Sequence, residues 1–148
     1  MTNTKFPTVS LDELKAQRLQ PEDFPLRPVV LVVDDEPIIA DTLVAILSAS
    51  GYVADAAYNG ESALEMAQII PPELLISDVV MPGMSGVSLA ISMRQTCPDC
   101  HVLLFSGQAA TGDILLDARK QGHDFNILAK PVHPRDLLAH AARLLASA

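Results

Sequence analysis

Four polar motifs, each placed directly after an apolar run, hold the residues of this chain that could do chemistry. They are Asp34-Asp35-Glu36, Asp78, Ser106 and Lys130-Pro131. The runs before them are short and rich in Val, Leu and Ile, which is typical of strands buried on both faces of a parallel sheet. Because the carboxyl ends of such strands line one edge of the sheet, we expect the carboxylates, the hydroxyl and the lysine to meet there.

The chemistry of such a group is limited by its charge. Converging carboxylates repel one another unless a cation lies between them, and oxygen ligands without histidine or cysteine favour a hard ion such as Mg²⁺. A lysine and a hydroxyl beside that ion suit the spread charge of a transferring phosphoryl group, which a carboxylate can accept as an aspartyl phosphate. Asp78 is the natural acceptor, because it stands alone after its strand while Asp34 and Asp35 are paired.

The ordered set of motifs resembles the receiver domain of two-component response regulators, from Val29 to about Ala146. The resemblance rests on Val-Val-Asp-Asp-Glu-Pro at 32–37, Asp-Val-Val-Met-Pro-Gly-Met-Ser-Gly at 78–86, Phe-Ser-Gly at 105–107 and Lys-Pro at 130–131. A lone Asp-Asp pair would be a weak signal. The four motifs in this order and spacing are a specific one.

The resemblance implies a role for each site residue. Asp78 would take a phosphoryl group from a sensor histidine kinase, and Asp35, Asp78 and the backbone carbonyl of Val80 would coordinate Mg²⁺ while Asp34 supports the metal shell. Ser106 and Lys130 would contact the phosphoryl oxygens, and the Lys130-Pro131 peptide would be cis. The protein would then be a signalling receiver and not a metabolic enzyme, although it would catalyse its own phosphorylation from small phosphodonors and its own dephosphorylation.

Each motif also has a plainer interpretation when it is taken singly. Asp34 or Asp35 could cap a helix that begins at Pro37, a residue suited to the first helical turn. Asp78 could cap the next helix, and Ser106-Gly107 could form a turn. These roles are compatible with phosphoryl binding, because a helix start is itself an anion site.

Alternating strand and helix patterns predict an α/β fold. We expect a flavodoxin-like, doubly wound (βα)5 domain with a five-stranded parallel sheet in the order 2-1-3-4-5. The predicted helices cover residues 37–50, 60–70, 84–96, 111–121 and 134–147, and the predicted second strand covers 52–57. The chain length of 148 residues suits one domain with a hydrophobic core.

The two ends of the chain differ in character. We assign residues 29–148 to the receiver domain and residues 1–28 to an N-terminal extension, which holds four of the eleven prolines and no long apolar run. Within the extension, Ser10-Leu11-Asp12-Glu13 matches a capping box, and Leu11, Leu14 and Leu19 predict a short amphipathic helix that ends before Pro21. Two interpretations stay open: a loose arm, or a docking helix for a partner or a second copy of the chain.

The charge and hydropathy of the chain limit the kinds of partner that it is expected to bind. The net charge is −8, and the extension is balanced, so the negative excess lies in the receiver part and opposes nucleic acid binding. No apolar run is long enough to cross a bilayer and the N-terminus leads into no signal-peptide core, so we predict a cytoplasmic protein without membrane contact. Output is expected through an unknown downstream protein, at the face of the fourth helix, fifth strand and fifth helix, with a homodimer as an open alternative.

Two other function classes compete with a phosphorylated switch. One is a scaffold with a receiver fold that works without phosphorylation, which the complete set of site residues argues against. The other is a metal-dependent phosphatase with an aspartate nucleophile. That class usually carries Asp-x-Asp after the first strand, whereas this chain has adjacent Asp34-Asp35 there.

One further motif matches both the haem-attachment pattern and a redox or zinc half-site: Cys97-Pro98-Asp99-Cys100-His101. The context favours an ordinary loop, because no second ligand pair follows and the pair lies after a helix, far from Asp78. The remaining histidines, His123, His133 and His140, show no ligand spacing and are expected to be solvated.

An aromatic residue that receivers commonly carry near the lysine is absent from its usual position in this chain. Receivers commonly carry Tyr or Phe three residues before the lysine, where this chain has Ile127. Phe125 is expected two residues earlier on the same strand face, roughly 6 to 7 Å farther from the site. The switch would then rely on backbone movement of Ser106 to Thr111 or on Phe125, because isoleucine is stiff at χ1 and smaller than tyrosine.

Overall fold

The computed structural model describes residues 27–107 and 111–147. The predicted helix of the extension falls within residues 1–26, which lie outside the described residues. Residues 108–110 and the final residue lie outside them as well.

Five strands alternate with five helices along the described chain. The strands are β1 (Val29–Val33), β2 (Val53–Ala57), β3 (Leu74–Asp78), β4 (His101–Ser106) and β5 (Asn126–Ala129), and the helices are α1 (Pro37–Ala49), α2 (Gly60–Ile69), α3 (Gly86–Thr96), α4 (Thr111–Lys120) and α5 (Pro134–Ala146). All neighbouring strands pair in parallel, in the order β2-β1-β3-β4-β5. The predicted fold class is confirmed.

Helices cover both faces of the sheet, which explains the continuous apolar strands. Along β1 the side chains alternate: Val30 and Val32 pack in the cluster that contains residues of α1 and α5, while Leu31 and Val33 pack in the cluster that contains residues of α2, α3 and α4. All five residues of β3 are buried, so this central strand places Asp78 at the edge of a rigid layer.

The predicted helix ends lie within two residues of the observed ends. Helix α3 begins at Gly86 and not at Met84, because the hydroxyl of Ser85 accepts a hydrogen bond from the Ser88 amide at 3.1 Å and caps the helix. The placement of Phe125 within the last strand is wrong, since β5 begins at Asn126. Within the described ranges, no helix combines the length and the apolar character that a membrane crossing requires.

Candidate functional site

The carboxyl ends of the two central strands bring the predicted carboxylates together. Strand β1 pairs with β3, so Asp34, the residue after β1, lies beside Asp78, the last residue of β3. Asp34, Asp35 and Asp78 each offer a carboxylate oxygen within 4.8 Å of the others, and no other such cluster occurs among the residues that the structure describes. Motifs that are distant in sequence thus meet at one edge of the sheet.

Asp78 is held from two sides. Its residue surface is 6% exposed, its Oδ1 accepts a hydrogen bond from the Val80 amide at 3.3 Å, and its Oδ2 lies 2.9 Å from Nζ of Lys130. The Lys130 side chain keeps 30% of its surface exposed. A buried carboxylate needs such a partner, and Lys130 provides it.

Asp34 is the most deeply buried acid of the site. Its Oδ1 accepts a hydrogen bond from the Glu36 amide at 2.9 Å, while its Oδ2 is buried without a hydrogen-bond partner in the described structure. Burial is the main cause that raises the pKa of Asp34 from 3.8 to about 6, and the nearby negative charge of Asp78 acts in the same direction. An orphaned carboxylate oxygen in a cluster of acids is a place where a cation would be stabilised.

The donor set therefore fits a magnesium ion. Asp34 supplies a buried oxygen that lacks a partner, Asp78 is nearly buried, and Asp35 is exposed at the mouth of the cluster. All three ligands are hard carboxylate oxygens, and the described cluster contains no histidine or cysteine. The carbonyl of Val80 stays a predicted fourth ligand, while the amide of the same residue donates to Oδ1 of Asp78.

Ser106 and Lys130 lie side by side on the other flank of Asp78. Ser106 ends β4 and pairs with Ala129 of β5, and its carbonyl accepts a hydrogen bond from the Lys130 amide at 3.0 Å. The Lys130-Pro131 peptide is cis, as predicted. The Lys130 ammonium also lies 5.2 Å from the centroid of the Phe105 ring, so backbone pairing and an aromatic face together direct it toward Asp78.

Gly86 is a site residue whose role sequence reasoning missed. A methyl group at this position would overlap the backbone carbonyl oxygen of Asp78, and the Gly86 amide donates to the Val79 carbonyl at 2.9 Å. Helix α3 thus starts directly against the acceptor strand, which only glycine permits. Its place in the Met-Pro-Gly-Met-Ser-Gly motif was the available signal. Sequence reasoning also missed Ser77, which is buried and whose hydroxyl donates a hydrogen bond to the Asp78 carbonyl at 2.9 Å.

The helix-cap interpretations do not hold for these acids. The N-cap of α1 is Glu36, whose side chain makes no capping bond, and the N-cap of α3 is Ser85. The carboxylate of Asp34 instead bonds the Glu36 amide, two residues on. Ser106 belongs to β4 and not to a turn.

The cysteine pair lies at the opposite end of the sheet. Cys97 caps the end of α3, Cys100 precedes β4, and the Cys100 amide donates to the Cys97 carbonyl at 3.0 Å, which closes a turn. Both thiols are free. Burial raises the pKa of Cys100 to about 12, which disfavours the thiolate that metal binding and redox exchange require.

The prediction that the last three histidines are solvated is confirmed for His133 and wrong for His123 and His140, which are half-buried. The His123 ring lies 3.3 Å from a guanidinium nitrogen of Arg94 and stacks on the Phe125 ring, with centroids 6.1 Å apart. His133 is exposed and accepts a hydrogen bond from the Arg135 amide at the start of α5. His140 is also half-buried, and its ring contacts Arg143 one turn later.

Comparison with known proteins places this geometry in a family. Residues 30–142 match the family model for the response regulator receiver domain. The response regulator receiver protein CpdR of Brucella abortus is 34% identical over 119 residues, which are 80% of this chain and 98% of that protein. The response regulator MprA of Mycobacterium ulcerans is 31% identical over 78% of this chain, but this chain spans only 49% of that longer protein.

Solved structures give the same result. The chemotaxis protein CheY4 of Vibrio cholerae superposes with a TM-score of 0.72 at 27% identity, and the match covers 80% of this chain and 99% of that one.

Proposed function

The chain belongs to the receiver domain family of response regulators, and from this membership we propose that it is a switch phosphorylated on Asp78 by a sensor histidine kinase. The observation that carries the proposal is the pair of Asp78 and Lys130, 2.9 Å apart, beside the unpartnered buried oxygen of Asp34. An acceptor carboxylate, a cation that neutralises phosphoryl oxygens and a metal cluster are what phosphoryl transfer to an aspartate needs. We assign residues 29–148 to this receiver and residues 1–28 to an extension.

The transfer exchanges one bond to phosphorus for another. A carboxylate oxygen of Asp78 attacks the phosphorus of a phosphohistidine, the new O–P bond forms, and the P–N bond breaks with its electron pair going to the imidazole nitrogen. Lys130 and Ser106 bind the phosphoryl oxygens as their charge redistributes. Asp34, Asp35, Asp78 and the Val80 carbonyl would hold Mg²⁺, whose positive charge would allow an anion to approach this acidic site.

A surface beside the site supports a protein as the phosphoryl donor. An open groove of about 510 Å³ runs from α1 to the segment after β5, and its lining includes Ile38, Leu43, Lys130 and Val132. Ile38 is 82% exposed although it is a large apolar residue. Exposed apolar area next to a reactive carboxylate suits the helix of a kinase that must bring its histidine to Asp78. A donor of this kind would be met in the cytoplasm, the location that the sequence predicts.

Output is proposed to use protein contacts. The receiver part carries the negative excess of the chain, which opposes nucleic acid. On the face of α4, β5 and α5, the apolar residues Leu116 and Ile127 are 46% and 39% exposed, which suits a downstream protein. A second copy of the chain is the alternative occupant of that face.

The test is phosphorylation by acetyl phosphate with Mg²⁺, followed by intact mass spectrometry and peptide mapping of the phosphoaspartate. We expect one phosphoryl group on Asp78, no labelling of Asp78→Asn and no labelling in excess EDTA. Asp99→Asn is the matched control, since Asp99 is exposed in the loop before β4, at the far end of the sheet. Stable labelling of Asp78→Asn would refute the acceptor, and steady turnover of a generic phosphate ester would favour a phosphatase.

A further inference from the structure

A hydrogen bond at the surface joins the end of the edge strand to the first helix. The hydroxyl of Tyr58, the residue after β2, donates to Oδ1 of Asp41 in the second turn of α1 at 2.7 Å. Because the acceptor is a carboxylate, the bond is shorter and stronger than one between neutral groups. It also raises the pKa of Tyr58 above its ordinary value of 10.0, so the phenol keeps the proton that it donates.

The same end of β2 also holds the loop that carries two of the clustered acids. Asp34 and Asp35 lie in the connection from β1 to α1, and the Asp34 amide donates to the carbonyl of Ala57 at 3.2 Å. Ala57 is the last residue of β2 and directly precedes Tyr58. Two successive residues therefore hold the two ends of this loop: Ala57 holds its first residue, and Tyr58 holds the helix into which it leads.

The orientation of the Asp34 carboxylate depends on where α1 begins. Its Oδ1 accepts a hydrogen bond from the amide of Glu36, the N-cap residue of α1, whose own side chain makes no capping bond. A shift of the helix start would therefore move this carboxylate as well. Burial of the apolar face of α1 is non-directional, so it fixes the helix start less sharply than a hydrogen bond between two defined atoms does.

We propose that Tyr58 is a positioning residue: it fixes the start of α1 through Asp41 and so orients the clustered carboxylates for the divalent cation of the proposed function, on which this inference rests. Groups that orient metal ligands from outside the site raise the affinity for the ion, because less ligand freedom is lost on binding. Since such coupling is reciprocal, the bound ion should strengthen the hydrogen bond between Tyr58 and Asp41 by the same factor.

Calorimetric titration of the full-length chain with Mg²⁺ tests the proposal. In Tyr58→Phe the ring stays and only the hydroxyl is lost, so the dissociation constant for Mg²⁺ should rise about threefold, in the lower part of the range for one hydrogen bond. Tyr52→Phe is the matched control, because it removes the same group directly before β2, at the opposite end of the strand. This control should bind Mg²⁺ like the wild type.

Two variants of Asp41 separate the hydrogen bond from the charge. Asp41→Asn and Asp41→Ala both remove one negative charge, but only asparagine keeps a side-chain oxygen that accepts from Tyr58. The affinity for Mg²⁺ should therefore be about threefold higher in Asp41→Asn than in Asp41→Ala. A role in helix stability alone would leave the two affinities equal. When Tyr58→Phe is added to Asp41→Ala, the affinity should not fall further, because the same bond is already lost.

Tyrosine fluorescence reports on the bond itself. The chain contains two tyrosines and no tryptophan, so Tyr58 is the only tyrosine that emits in Tyr52→Phe. A carboxylate that accepts from a phenol quenches its emission, and saturating Mg²⁺ should deepen this quenching in Tyr52→Phe because the coupling is reciprocal. With Asp41→Ala added, the emission should be higher and should not respond to Mg²⁺.

Equal Mg²⁺ affinity in Tyr58→Phe and Tyr52→Phe would overturn the proposal, as would equal affinity in Asp41→Asn and Asp41→Ala. Neither result would affect the proposed function, provided that the wild type binds Mg²⁺ and is labelled on Asp78. A wild type that binds no Mg²⁺ would instead remove the cation site itself, and the role of Tyr58 with it.

Discussion

The guanidinium of Arg94 lies over the ring of Phe125, 4.2 Å from its centroid, and ties α3 to the segment that leads into β5. A second guanidinium nitrogen of Arg94 donates to the Asp124 carbonyl at 3.0 Å, and Phe125 is 8% exposed. The ring is thus a buried packing element below the start of β5. This position argues against Phe125 as the moving aromatic residue of the switch.

Removal of Arg94 should lower stability without affecting phosphorylation. In Arg94→Ala, loss of the contact with Phe125 and of the hydrogen bond to Asp124 should lower the free energy of unfolding by about 1–3 kcal/mol. Urea denaturation measures this, with Arg135→Ala, an exposed arginine of α5, as the control. Labelling of Asp78 should proceed at the wild-type rate.

The buried position of Phe125 also indicates what should move on activation. In structures with and without a beryllofluoride mimic at Asp78, we expect the backbone after Ser106 to shift while Phe125 and Ile127 keep their rotamers. A large rotation of Ile127 with a static loop would contradict the expectation.

Gly86→Ala should disturb the acceptor strand. The added methyl group overlaps the Asp78 carbonyl, so α3 or β3 must shift, with a loss of about 2–3 kcal/mol in the free energy of unfolding and slower labelling of Asp78. Gly112→Ala is the matched control, because a methyl group at Gly112 would meet nothing within 4 Å and an exposed helical alanine adds up to about 1 kcal/mol. Equal thermal stability of the two variants would exclude the close approach.

Mg²⁺ affinity should depend on pH through Asp34. Burial raises the pKa of Asp34 to about 6, so below pH 6 the carboxyl holds a proton that the ion must displace, and affinity should fall about tenfold per pH unit. Above pH 7 this group should add no pH dependence. Calorimetric titration over pH 5–8 measures the slope, which should flatten in Asp34→Asn. A slope unchanged by that substitution would remove Asp34 from the metal shell.

The raised pKa of Asp34 also determines how the stability of the metal-free protein changes with pH. The folded state keeps this proton at a pH where the unfolded chain, with a pKa near 3.8, has lost it. The contribution of Asp34 to the free energy of unfolding therefore falls as pH rises from about 4 to about 6. The difference between wild type and Asp34→Asn in denaturation at several pH values isolates this contribution.

Lys130→Met should change metal binding and phosphorylation in opposite directions. The Lys130 ammonium lies 2.9 Å from Asp78 and would repel Mg²⁺, and the substitution removes this repulsion. The affinity for Mg²⁺ should therefore rise severalfold, which corresponds to about 1 kcal/mol of binding free energy. Labelling by acetyl phosphate should slow by tenfold or more, because phosphoryl oxygens lose their partner. Lys120→Met, at the exposed end of α4, is the control for charge. Parallel losses of both properties would point to a local unfolding of the site.

Alkylation should distinguish the two cysteines. With the pKa of Cys100 near 12, about one thiol in ten thousand is ionised at pH 8, whereas Cys97 is only half-buried. Iodoacetamide should modify Cys97 in the native protein and Cys100 only after denaturation, as peptide mapping would show. Native Cys97→Ser should stay unlabelled. Rapid labelling of its Cys100 would mean that the turn opens.

The sequence by itself determined the fold and which polar side chains meet at one edge of the sheet. Apolar runs buried on both faces require a parallel sheet with helices on each side, and a parallel sheet brings the ends of its strands to one edge. Asp34, Asp78, Ser106 and Lys130 follow such runs, so their meeting was predictable from local pattern alone. Helix ends were predictable to within one or two residues, because caps such as Ser85 act locally.

Only the tertiary structure decided the contacts between segments that no periodicity links. Nothing in the pattern around Phe125 indicates that Arg94, 30 residues from Asp124, covers its ring, or that His123 stacks on it. Position 86 must be glycine because of how closely α3 packs against β3. The buried Asp34 oxygen that lacks a hydrogen-bond partner likewise depends on how β1 packs against β3. Periodicity sets which face of an element is buried, but distances between side chains of different elements arise from packing, and packing is set by the whole chain.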